Sequence, residues 1–443
     1  MQISASYKDI WKISYPIMLG SLAQNLIGVT DVIFLGRVGE VALGASGLMS
    51  IFYTVMVMMG FGISRGGQIL IARRAGEGRY DAIGNIVGNL TVLQLMVASV
   101  LFLFMQLAAP YIIGLFISSQ AVYQASLEYL YYRSFGIFFS FLGFVLMALY
   151  TGIGRTSVIA YTTIFLFVVN AVLNYLLVFG YYGFPQMGVG GSGLASSIAE
   201  VLTTLVSLAY MLLDKHTRTY SLLKLPHIEK TIFKRLSQLS LPLVLQYLIG
   251  LGGWFLLFVL IENMGERSLA ISTVLKQIYT FFSIPAWGYA STANSVVSNL
   301  IGQGKQEEVM TAIYRTCFLS FLMTLVCCAT LVIFPETFLD IFTKSESVVQ
   351  GSKTILPILI FVIFSCSMSV VVFNGLMGTG AMRLSLLIEA CGMVVYLGYA
   401  YLIAKIMLLG LPYIWTAEFV YWTVLLVPSW FYLQSDRWRE IRV

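Results

Sequence analysis

Twelve runs of about 20 or more predominantly apolar residues divide the chain, each bounded by charged or Gly/Pro-containing breaks. About 20 apolar residues are what an α-helix needs to cross the hydrocarbon core of a bilayer. In hydrocarbon, every backbone N–H and C=O must find its partner within the segment, which restricts such runs to helices. The runs lie at approximately 10–35, 43–70, 84–108, 125–151, 157–180, 189–213, 237–262, 268–300, 309–334, 352–378, 384–408 and 411–433. Several exceed the minimum length, which calls for tilt or kinks. Composition agrees: 59% of the 443 residues are hydrophobic and 10% charged, where a soluble domain carries about 25% charge. The expected fold class is an all-α polytopic membrane protein. The net charge of +6 then reports loop placement rather than nucleic-acid binding.

Lys and Arg set the expected orientation. With the N-terminus in the cytoplasm, 18 of the 26 basic residues fall in inner segments and 5 in outer ones, with Arg65, Arg133 and Lys276 inside spans. Both termini are therefore expected inside. No cleavable leader is evident in MQISASYKDIWKISYPIMLG, so the first helix is expected to act as its own insertion signal.

The chain also matches itself at a constant offset of 226 residues. Ser14 and Pro16 fall on Ser240 and Pro242, Gly39-Glu40 on Gly265-Glu266, Tyr53-Thr54 on Tyr279-Thr280. Gly76 and Gly78 fall on Gly302 and Gly304, and Gly152 and Gly154 on Gly378 and Gly380. Each half holds six spans, an even number, so both enter the membrane in the same sense. Twelve transmembrane helices are thus expected as two six-helix bundles related by a pseudo-twofold axis along the membrane normal, a recurring plan among secondary transporters. The expected division is an N-terminal bundle over 1–213, a basic cytoplasmic linker over 214–236 and a C-terminal bundle over 237–443.

An ionised side chain inside a bilayer costs on the order of 3 kcal/mol by insertion scales, so those present point to function. Asp31 lies in the outer part of the first span. Asn170 and Asn174, one helical turn apart, share a face of the fifth. Glu200 lies near the middle of the sixth. These four fall in one depth band, suited to a polar cavity in which carboxylates and amide oxygens receive a cation; helix-packing hydrogen bonds are the plainer alternative. Asp31 maps onto Leu257 and Ser50 onto Lys276, so the halves share a scaffold but differ in charge. Lys276 and Glu418 have compatible depths and are expected to pair or to face one cavity. Gln24 is a further substrate or gating candidate. Glu389, Glu128, Arg133 and Arg65 lie near span ends, where interfacial snorkelling accounts for them. The five cysteines read as small buried hydrophobes. Both histidines, His216 and His227, sit in the linker, so no metal site is expected beyond a possible sodium at Asp31 and Asn174.

The segments NLIGVTDVIFLGRVG (25–39), NAVLNYLLVFGYYGFPQMGVGG (170–191), Gly152-x-Gly154-Arg155 and NLIGQG (299–304) together resemble the multidrug and toxic compound extrusion (MATE) transporters. The resemblance implies alternating access and export of organic, often cationic amphiphiles, driven by inward proton or sodium flow. It places the family's first-span acid on Asp31 and its fifth-span polar pair on Asn170 and Asn174. Many members also carry acids in spans 7 and 10. This chain has none there before Glu262, so coupling is expected in the N-terminal bundle. The expected function is secondary active efflux in the plasma (inner) membrane, with proton as coupling ion (sodium as the alternative), no cofactor, small-molecule substrates and a monomer. The rival is a lipid-linked oligosaccharide flippase, which calls for more cavity arginine than this chain offers. No HExxH, paired-Asp or Ser/His constellation occurs in the spans, which speaks against an enzyme.

Overall fold

The computed structural model describes residues 3–222, 228–343 and 345–441, and nearly all of these are helical. Part of the expected linker, residues 223–227, lies outside the described residues. The first half runs α1 (Tyr7–Val38), α2 (Glu40–Gly76), α3 (Tyr80–Leu103), α4 (Ala109–Phe116), α5 (Gln120–Phe135), α6 (Ile137–Gly152), α7 (Ser157–Phe179) and α8 (Gly188–Leu213). The second runs α9 (Lys230–Glu262), α10 (Glu266–Phe282), α11 (Ile284–Gly302), α12 (Glu308–Ile333), α13 (Pro335–Phe342), α14 (Glu346–Thr379), α15 (Met382–Tyr401) and α16 (Leu411–Gln434).

All twelve apolar runs are helical. Nine of the described helices are long and apolar enough to cross a membrane, and ten when α5 and α6, bent by 45°, count as one span. The runs outside that number are α10–α11, which carries Glu266, Arg267 and Lys276, and α16, whose Tyr, Trp and Pro residues dilute its apolar character. The two halves break in different places for local reasons. The α10–α11 rod is interrupted at Ser283, just before Pro285, which lacks an N–H and crowds the preceding turn. Its repeat partner is Met59, and α2 runs on unbroken. Where the repeat does keep its glycines, it keeps a backbone need. Gly78 and Gly304 have φ of +74° and +77°, and Gly154 and Gly380 have +73° and +98°, a region open mainly to glycine.

The described chain divides into two compact units, and their boundaries differ from the expected 213 and 237. One unit is Leu19–Val244; the other holds the residues up to Met18 together with those from Leu245 onward. Each boundary lies two residues beyond an intrahelical proline, Pro16 in α1 and Pro242 in α9, at equivalent repeat positions. The first segment of each half's leading helix thus packs within the other half's unit, and it does so with matched chemistry. Ser14 Oγ donates to Thr292 Oγ1 at 2.8 Å, while its equivalent Ser240 donates to the Ile63 carbonyl at 3.1 Å. Gly288 faces Met18, and its equivalent Gly62 faces Val244. Both chain ends of the second unit lie together, since Arg315 donates to the Ala5 carbonyl and the Tyr314 ring meets Trp430. Elsewhere in that unit α11 buries Thr292, Asn294, Ser295, Ser298 and Asn299. Small polar side chains of this kind let helix backbones approach closely.

Gly62 is the tightest test of the exchanged packing. A β-carbon there would sit 2.9 Å from Val244 backbone atoms, which a rotamer change cannot relieve. Gly62→Ala should therefore destabilise the protein by about 1–3 kcal/mol. Gly28, where a β-carbon would meet nothing within 4 Å, should accept alanine without loss. Thermal unfolding of the purified variants in detergent checks both outcomes.

Candidate cation-coupling site

Within the Leu19–Val244 unit, α1, α7 and α8 carry one hydrogen-bonded chain. Asn174 Nδ2 donates to Asp31 Oδ1 at 2.9 Å and also reaches the Asn170 carbonyl and Oδ1 at 3.1 and 3.2 Å. Asn170 Nδ2 continues to Ser196 Oγ at 3.0 Å. Helical spacing explains the arrangement. Asn170 and Asn174 are one turn apart, and both are almost fully buried, at 1% and 0% exposure. Asp31 is half-buried, seven residues before the end of α1 at Val38, or about 10 Å along the axis. Its Oδ2 accepts no hydrogen bond among the described residues, and Asn174 Oδ1 is buried without a partner. Gln24 lies two turns earlier on the Asp31 face of α1 and is exposed.

Glu200 is engaged elsewhere. Both of its oxygens are taken by Arg133, Nη1 to Oε2 at 2.8 Å and Nη2 to Oε1 at 2.6 Å. The Arg133 guanidinium also lies over the Tyr53 ring, 3.9 Å from its centroid. Gly136, at the bend between α5 and α6, makes room for the pair: a β-carbon there would meet Glu200 Oε2 at 2.4 Å and Arg133 Nη1 at 2.6 Å. Ser197 Oγ donates to the Tyr132 carbonyl at 2.8 Å and pins α8 to α5 beside it. The expectation that Glu200 offers a second open carboxylate is thus corrected to a bidentate ion pair. Arg133, expected to snorkel at the interface, is its buried partner. Arg133 also acts electrostatically on Asp31, so the pair borders the Asp31–Asn174–Asn170 chain without joining its hydrogen bonds.

In the other unit Lys276 and Glu418 do not pair. Lys276 is exposed, and its Nζ lies 5.1 Å from the Phe258 ring centroid and 5.5 Å from that of Trp254. Glu418 is 1% exposed and accepts a hydrogen bond from Tyr396 at 2.6 Å. Glu389, expected at the interface, is buried and accepts from Tyr421 at 2.6 Å. The residues that sequence reasoning passed over, Tyr53, Ser196, Tyr396 and Tyr421, have polar groups that matter only through their helical neighbours. For the last two, the one signal in the sequence is spacing: Glu389/Tyr396 (i, i+7) and Glu418/Tyr421 (i, i+3) each share a helix face. Among the described residues, no three His, Cys, Asp or Glu side chains gather as metal ligands.

The MatE family model matches residues 16–176 and again 242–402, two matches separated by the same 226-residue offset as the internal repeat. The chain is 25% identical to the probable multidrug resistance protein NorM of Thermotoga maritima over 382 residues, 84% of this chain and 80% of that protein. It is also 25% identical to the protein of the same name from Synechocystis over 354 residues, 79% of this chain and 76% of that one. Among solved structures it resembles a MOP superfamily transporter from Pyrococcus furiosus, with a TM-score of 0.90 at 22% identity, covering 97% of this chain and 95% of that one. It resembles equally an outward-facing multidrug resistance MATE family transporter, at the same TM-score, identity and coverage. At such identities the likeness carries the fold, an all-α polytopic membrane plan of two bundles. With both of its repeats matched, the chain belongs to the MatE, or multidrug and toxic compound extrusion, family of membrane transporters.

Proposed function

We propose that the protein is a secondary active exporter of organic, cationic amphiphiles, coupled to inward proton flow at Asp31. It would lie in the plasma (inner) membrane as a monomer with both termini in the cytoplasm. The observation that carries this reading is that Asp31, in the apolar first span, is held among the described residues only by a neutral amide, Asn174, and by no ion pair. Such a group attracts a cation or a proton, because an unpaired charge in a low-dielectric surrounding is costly. The donor set favours a proton over sodium. Asn170 Oδ1 already accepts from Asn174, which leaves Asp31 and Asn174 Oδ1 as a sparse set of oxygens for a metal ion. Proton uptake from the outside would neutralise Asp31, weaken its hold on a cationic substrate and permit the helices to rearrange. Linkage requires the converse: bound cationic substrate must weaken proton binding.

Roles divide between the two acids of this unit. Asp31 is the coupling group; Glu200 serves the scaffold through Arg133. Asp31→Asn should cut pH-driven efflux by about tenfold or more while leaving expression and thermal stability near wild type. The assay is reconstituted vesicles with an imposed pH or sodium gradient and a fluorescent cationic dye, and full pH-driven efflux by that variant would sink the proposal. A sodium gradient that drives efflux as well as a pH gradient would overturn the choice of ion.

Glu200→Gln should behave in the opposite manner. Breaking a largely buried ion pair from one side leaves an uncompensated charge, which costs about 3–5 kcal/mol at full burial and less at the 12–13% exposure of this pair. Its signature is a lowered thermal midpoint in the purified protein, with Arg133→Gln showing the same loss. A stable Glu200→Gln protein lacking only coupling would instead place Glu200 in the proton path.

A further inference from the structure

The unit that contains Leu245 onward holds two further carboxylates that nothing in the coupling chain uses. Glu389 on α15 and Glu418 on α16 are 5% and 1% exposed, and neither forms an ion pair among the described residues. They are cross-linked to the facing helix by tyrosines. Tyr421 of α16 donates to Glu389 Oε1, and Tyr396 of α15 donates to Glu418 Oε1, each at 2.6 Å. The Tyr396 and Tyr421 rings lie 5.5 Å apart between the two rungs. Glu389 and Tyr396 are seven residues apart on one face of α15, so the rungs are displaced by about 10 Å along that helix. Glu418 Oε2 is buried with no hydrogen-bond partner. The Trp422 indole, itself 5% exposed, points its Nε1 toward this carboxylate without closing a bond of normal geometry.

We propose that Glu418 and Glu389 form a second proton-binding site, in the unit that does not contain Asp31, with Tyr396, Tyr421 and Trp422 holding the carboxylates in place. One neutral donor per carboxylate does not replace the hydration lost on burial, and each acid needs a proton or a cation to be tolerated there. The surroundings favour a proton over a metal cation: tyrosine O–H and indole N–H groups present their positive ends to the carboxylates, and among the described residues no three His, Cys, Asp or Glu side chains gather as metal ligands. The titratable groups facing Glu418 are Tyr396, Tyr421, Tyr279 and Cys366; the one facing Glu389 is Tyr421. None is basic. Uptake adds one proton from water to the free Oε2 of Glu418, turning an anion into a neutral acid with no other bond changed.

The site is read without any transport assay, which keeps its fate separate from that of the exporter assignment. The measurement is pH-difference infrared spectroscopy of the full-length protein in lipid nanodiscs, following the C=O stretch of protonated carboxyl groups. Glu418→Gln and Glu389→Gln should each delete a pH-dependent carboxyl band that Asp31→Asn leaves in place. Tyr396→Phe removes only a hydroxyl, and it should shift the Glu418 band while sparing that of Glu389; it serves if a Gln variant fails to fold. Unchanged bands in the Gln variants, or loss of every pH-dependent carboxyl band in Asp31→Asn alone, would overturn the proposal.

Discussion

A charge inside a bilayer-spanning helix bundle must be answered by something, and the kind of answer sorts the acids of this protein. Glu200 is answered by a full guanidinium in bidentate contact, backed by an aromatic ring and fitted into space that Gly136 leaves open. Such a pair is closed: its charges cancel, and both carboxylate oxygens of Glu200 are taken. Asp31, Glu389 and Glu418 are answered only by neutral amide or phenol donors. Their charge is not cancelled by an ion pair among the described residues, and on that difference the proposed coupling at Asp31 rests.

The scaffold comes from the repeat. Equivalent prolines in α1 and α9 precede equivalent unit boundaries, and beyond each of them the chain passes from one unit to the other. Matched serines and glycines secure the exchanged segments. The halves depart from one another in their breaks and in their charged side chains. The bend at Gly136 belongs to the half with the ion pair, and the Pro285 break belongs to the half that carries Lys276. The tyrosine-linked acids have no counterpart ladder at the corresponding positions of the first half, where Glu389 maps onto Thr163 and Glu418 onto Ser192.

The Asp31–Asn174–Asn170 chain is legible in the sequence because its parts obey short-range rules: two asparagines one turn apart, and one acid at a matching depth. The partner of Glu200 is not, because depth along a helix says nothing of which neighbour a side chain meets around it. Arg133 near a span end has two outlets, the interface or an acid on another helix, and the choice depends on Gly136 close by and on Tyr53 and Glu200, distant in sequence. Glu389 follows the same pattern: it does lie near the end of an apolar run, and its burial against α16 depends on Tyr421. The expected partnership of Lys276 with Glu418 rests on depth alone; Glu418 instead accepts from Tyr396, and Lys276 lies beside the Trp254 and Phe258 rings.

The helical class, the twelve runs, the duplication at an offset of 226 and the one acid in the first span without a repeat partner are all readable from the chain of letters. Each follows from local or periodic physics: the length of an apolar run, the obligation to satisfy the backbone in lipid, and self-similarity. Packing in three dimensions settled which carboxylates are closed by an ion pair and which stay open, and where one unit ends and the other begins. Those outcomes depend on the azimuth of each helix and on contacts between residues tens to hundreds of positions apart, which neighbouring letters do not encode.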